Sequence, residues 1–157
     1  MENKEILFQA IRSEDTETVK KILNEDITLL NSKDGRGSTP LLLATYYGNL
    51  EITKYLLSLH PLIDEKDASG NTALMGVCFK GFEEIAENLI NEGANINEVN
   101  HSGATALVYA ATFNRKNLVK LLLKHGANPE IKDIRGNTAA SQARMQGLKE
   151  IAELLEV

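Results

Sequence analysis

The chain has 157 residues, of which 43% are hydrophobic and 25% charged, with a net charge of −5. These values fit one folded domain and exclude a disordered chain. The acidic balance excludes nonspecific nucleic-acid binding, which needs a basic footprint. A lone cysteine, Cys78, rules out an intrachain disulfide and fits a reducing compartment. The opening Met1-Glu2-Asn3-Lys4-Glu5 lacks the basic-then-apolar pattern of a secretory signal. No apolar run approaches the ~20 residues of a membrane helix. A cytoplasmic location without a membrane partner is therefore expected.

Residues 2–12 and 16–24 read as two short helices. Ile6, Leu7, Ala10 and Ile11 recur at helical spacing, as do Val19, Ile22 and Leu23. Asp15 or Thr16 caps the second. Next comes Asp34-Gly35-Arg36-Gly37-Ser38-Thr39-Pro40-Leu41, a turn leading into a helix start. The layout returns at Asp67, Asn100 and Asp133, each time 33 residues on. A fixed period in this range marks a solenoid of stacked units. The units run approximately over 1–33, 34–66, 67–99, 100–132 and 133–157, in a single domain spanning 1–157. The first is out of step by one residue: Ala10 matches Ala44, and Glu14-Asp15 stands where Gly48-Asn49 follows. A terminal unit is expected to be irregular in this way.

Each unit repeats the same local chemistry. Asp34, Asp67, Asn100 and Asp133 open the turn and accept backbone N–H bonds there. Gly37, Gly70, Gly103 and Gly136 sit where positive φ selects glycine. Thr39, Thr72, Thr105 and Thr138 are placed as helix N-caps, and Pro40 fits the first helical position. The first helix of each unit ends at Gly48, Gly81, Asn114 or Gly147. Second helices follow around 50–59, 83–91, 116–124 and 149–155. Such short helices are marginal alone, since isolated ones need ~12–15 residues, so stacking must hold them. Its columns are visible: Leu41, Leu74, Leu107, Ala140; Ala44, Val77, Ala110, Ala143; Ile52, Ile85, Leu118, Ile151; and Leu56, Leu89, Leu122, Leu155. At the end, Glu156 replaces Leu57, Ile90 and Leu123, while Arg144 replaces Thr45, Cys78 and Ala111. A polar outer face is what a capping unit needs.

The turn Asp-x-x-Gly-x-Thr, Pro40-Leu41, Gly93-Ala94-Asn95 and Gly126-Ala127-Asn128 together resemble the ankyrin repeat family over nearly the whole chain. The family histidine after the leucine is absent. Leu42, Met75, Val108 and Ser141 hold its place, and His60-Pro61 replaces one closing Gly-Ala. The resemblance implies an all-α solenoid of about five helix-turn-helix units with projecting, β-hairpin-like turns. It implies a concave face of turns and first helices that binds another protein, and no enzyme activity. Carried over position by position, the contact residues are Arg36, Ser38, Tyr46 and Tyr47, then Ser69, Asn71, Phe79 and Lys80. His101, Ala104, Thr112 and Phe113 follow, then Ile134, Arg135, Asn137, Met145 and Gln146, with Arg12 extending the row.

Of the chain's four Tyr and four Phe, Tyr46, Tyr47, Phe79 and Phe113 fall on these positions. Protein interfaces favour aromatics and Arg at their centres. Arg36, Lys80 and Arg135 stand there with no carboxylate at a variable position, so the expected partner has apolar knobs and an acidic surface. Packing between units competes with this reading, because Tyr46, Phe79, Thr112 and Met145 share one register. Cys78 reads as a small core residue. His60, His101 and His125 lack metal-ligand spacing, and Gly35-x-Gly37 lacks the rest of a phosphate loop. No cofactor is expected. The function read from the sequence is a protein-binding adaptor or inhibitor, monomeric when free. The alternative is an accessory protein that delivers a cofactor to a client enzyme or stabilises it.

Overall fold

The computed structural model describes residues 1–156. Val157, the last residue of the fifth unit, lies outside them. The described residues form five consecutive helix pairs and no strand. The pairs are α1 (Asn3–Arg12) with α2 (Thr16–Glu25), α3 (Pro40–Tyr46) with α4 (Leu50–Ser58), and α5 (Ala73–Lys80) with α6 (Glu83–Asn91). Then come α7 (Ala106–Thr112) with α8 (Lys116–Lys124), and α9 (Ala139–Met145) with α10 (Lys149–Leu155). This is the solenoid read from the period, with the all-α units that the family resemblance implies. The repeat does not announce the 3₁₀ turn at Ile27–Asn31, which Asp26 caps by accepting the Thr28 N–H at 3.1 Å.

The joints are built as their residue types require. Asp34 Oδ1 accepts the N–H groups of Arg36 and Ser38, each at 2.9 Å. Asp67, Asn100 and Asp133 do the same in the later turns. The Asn137 N–H leads the contacts that hold the Asp133 carboxyl below its ordinary pKa. Each turn closes like a hairpin, with the Asp34 N–H donating to Ser38 O at 2.9 Å. Thr39, Thr72, Thr105 and Thr138 all cap through their hydroxyls. In the last unit Ser141, standing where the family has histidine, accepts the Thr138 N–H at 2.7 Å and completes a capping box.

Between the helices of a pair the chain turns left-handed at Gly48, Gly81, Asn114 and Gly147, and also at Glu14. His60 has φ 57° where the following units place Gly93 and Gly126. A left-handed side chain costs about 1–2 kcal/mol, part of which glycine returns as backbone entropy. His60→Gly is therefore expected to raise stability by about 0.5–1 kcal/mol. Urea unfolding checks this, and an unchanged midpoint would show that the His60 ring makes compensating contacts.

The second-helix columns, Ile52, Ile85, Leu118, Ile151 and Leu56, Leu89, Leu122, Leu155, are buried throughout. Ala44, Val77, Ala110 and Ala143 are wholly inaccessible on the first helices, whereas Ala140 is only partly covered. Small residues let neighbouring backbones approach, and first helices contact each other more extensively than second helices do. The row thus closes on the first-helix side. Backbone N–H groups of Leu62, Asn95 and Asn128 donate across units to Asn31, Asp64 and Asn97 at 2.8–2.9 Å. Arg144 and Glu156, the two polar replacements of the last unit, pair with each other. No helix among the described residues is long and apolar enough to cross a membrane.

Candidate partner-binding face

The turns and first helices share one face, and a recess of about 490 Å³ opens in it. Arg36, Ser38, Tyr46, Tyr47, Ser69, Asn71 and Phe79 line it, together with Arg12. Lys80 stands at the rim, its Nζ 4.4 Å from the centroid of the Tyr46 ring. Tyr46 and Tyr47 meet edge to face at 5.9 Å. Phe79 meets Phe113 edge to face at 4.7 Å, which carries the aromatic surface on toward α7. Phe79 packs on its neighbours yet stays 37% exposed.

The other carried-over positions separate from the recess. Thr112 is half-buried and its hydroxyl donates to Val108 O at 2.7 Å. His101 lies against Gly70, and Ala104 is buried. Ile134, Arg135, Met145 and Gln146 are exposed at the far end of the stack, with Asn137 half-buried beside them. Of the row read from the sequence, the recess thus gathers the second-unit positions with Ser69, Asn71 and Phe79, while the fourth- and fifth-unit positions lie outside its lining.

The structure adds residues the repeat did not single out for this face. Tyr109 lines the recess, and Asn100 ties it to the neighbouring turn. Asn100 Nδ2 donates to Asn71 Oδ1 at 2.8 Å and to the Tyr109 hydroxyl at 2.9 Å, while its Oδ1 serves its own turn. An aspartate has no such donor, which explains Asn in this one turn. The side-chain oxygen of Asn71 is consequently occupied internally. Asp34 and Asp67 also line the recess, but Asp34 Oδ2 pairs with Arg12 at 3.1 Å and Asp67 Oδ1 is taken by its turn. Arg36 and Lys80 have no carboxylate within ion-pair distance among the described residues.

The position of the recess follows from how neighbouring turns meet. The His101 N–H donates to Ser69 O at 3.2 Å, and the Ile134 N–H to Ser102 O at 3.0 Å. The equivalent bond from Ala68 to Arg36 is not made. A Cβ placed on Gly37 would lie 3.5 Å from Ala68 N, against 2.9 Å at Gly70 and 3.1 Å at Gly103 for the matching nitrogens. The turns part between the second and third units, and the recess opens there. Cys78 contributes no chemistry to it: burial pushes its thiol up to about 12, so it stays protonated at neutral pH.

A family model described as Ankyrin repeats (3 copies) matches residues 7–100 and again residues 75–156. Ankyrin repeats are generally protein–protein interaction modules and typically non-enzymatic scaffolds. Comparison with curated proteins returns no match. An unbroken period, the turn chemistry at each joint and a match covering nearly the whole chain agree: the chain belongs to the ankyrin repeat family.

Proposed function

We propose that this protein is a non-catalytic adaptor or inhibitor that binds one protein partner through its turns and first helices. One observation carries this reading. Tyr46, Tyr47, Phe79 and Phe113 are the exposed aromatics among the described residues, and all four lie on that face. Phe8, Tyr55, Phe82 and Tyr109 are buried or half-buried. Exposed aromatics grouped on one face are the usual anchors of an interface. Arg36 and Lys80, without an ion pair among the described residues, complement an acidic rim on the partner. The protein acts as a monomer in the cytoplasm, where its lone thiol stays reduced.

The test is affinity capture from the native cell, followed by the double variant Tyr47→Ala, Phe113→Ala. Each truncated anchor is expected to weaken partner binding by about tenfold, with unchanged circular dichroism. Full binding by a folded double variant would overturn the proposal.

A further inference from the structure

One position of the first helix recurs at the centre of the recessed face: Gln9, Leu43, Gly76, Tyr109 and Gln142. Only Gly76 lacks a side chain. Its φ lies outside the left-handed region, and a Cβ built on it meets nothing within 4 Å. Neither conformation nor packing asks for glycine here, and glycine inside a helix weakens it relative to alanine. What its bare backbone produces is depth. Gly76 lines the recess between Leu43 and Tyr109, with Phe79 and Tyr46 beside it. The parted turns of the second and third units leave the same place open from above.

We infer, on the footing of the binding function proposed above, that the recess over Gly76 is an anchor pocket. It takes one large apolar side chain, phenylalanine or leucine, from an acidic segment of the partner. Leu43, Met75 and Phe79 supply apolar wall, and Gly76 leaves the volume of a missing side chain. Arg36 at the lip and Lys80 at the rim have no ion pair among the described residues; of the two carboxylates in the lining, Asp34 is paired by Arg12 and Asp67 accepts two N–H groups of its own turn, so the cations outnumber the carboxylate charge left unpaired. A cationic occupant is disfavoured, because the Tyr46 ring already faces the Lys80 ammonium. The segment therefore enters with its apolar residue down and its carboxylates toward Arg36 and Lys80.

Three acetylated heptapeptides serve as probes, titrated calorimetrically into the full chain. The first has phenylalanine at its centre and acidic flanks, the second alanine in the same flanks, and the third phenylalanine in lysine flanks. The first is expected to bind at least about tenfold more tightly than either of the others. Gly76→Leu fills the pocket and should weaken the first peptide by about tenfold, leaving the alanine peptide unchanged. Gly76→Ala should do the same by a smaller step while melting about 2–4 °C higher, so blockage and misfolding are told apart even if the leucine variant fails to fold. Equal binding of the phenylalanine and alanine peptides overturns the inference. So does preference for lysine flanks, undiminished binding by both folded Gly76 variants, or no binding of any peptide. A captured natural partner that Tyr47→Ala, Phe113→Ala releases but Gly76→Leu retains removes the pocket alone and leaves the binding function standing.

Discussion

Gly70→Ala is expected to destabilise the protein by about 3–4 kcal/mol, and Gly136→Ala by only about 1 kcal/mol. Both glycines have φ 82°, so the penalty for a left-handed alanine is common to the two. The difference lies in what the new methyl meets. At Gly136 it meets nothing within 4 Å. At Gly70 it would stand 2.7 Å from His101 Cδ2 and 2.9 Å from His101 N. The ring can turn aside. The backbone nitrogen cannot move without losing its 3.2 Å bond to Ser69 O. Parting these turns adds a lost hydrogen bond and a displaced joint to the local strain, together about 2 kcal/mol. Urea unfolding of the two variants side by side decides the matter. Equal losses would show that contact between turns contributes little to holding the units together.

Leu89→Ala is expected to lose about 3–5 kcal/mol, and Leu155→Ala roughly half as much. Leu89 is inaccessible and lies between Leu56 and Leu122, which are inaccessible too. Its removal leaves a cavity that two rigid neighbours cannot close. Leu155 sits in the last helix with one neighbouring unit and is 6% exposed, so the chain around it can relax. In a stack whose units touch only their neighbours, damage at the centre also uncouples the two halves. Chemical unfolding monitored by circular dichroism checks both values. A Leu155→Ala loss equal to that of Leu89→Ala would mean that the terminal pair is held as firmly as the middle.

What the sequence made legible was whatever recurs. Asp34, Gly37 and Thr39 have counterparts one period on, so a bond made once is made at each joint, and their roles follow from residue type alone. The second-helix columns were legible for the same reason. Departures from the pattern were harder to interpret. Glu14 takes the left-handed conformation in the first unit although its side chain gives no hint of it. Gly76 belongs to none of the columns read from the sequence, and only the structure shows that nothing fills the space above it. Asn100 looked like a simple replacement for aspartate, but its amide reaches Asn71 and Tyr109 at separations that are not multiples of the period. Likewise, Lys80 over Tyr46 joins two units through side chains that no repeat alignment pairs. Contacts between unlike positions shape the face, and periodicity carries no information about them.

The bonds from His101 N–H to Ser69 O and from Ile134 N–H to Ser102 O involve only main-chain atoms. From the third unit onward, adjacent turns are therefore stitched together by groups every residue except proline possesses. The side chains of His101 and Ile134 take no part in these two bonds and can be varied while the seam persists, whereas Asn100 and Asn71 join neighbouring turns through their amides and are not free to vary. Rewriting the surface and keeping the architecture become separable problems, and proline at 101 or 134 marks the boundary between them. A library built on this chain can thus vary positions 101 and 134 while the main-chain seam is kept.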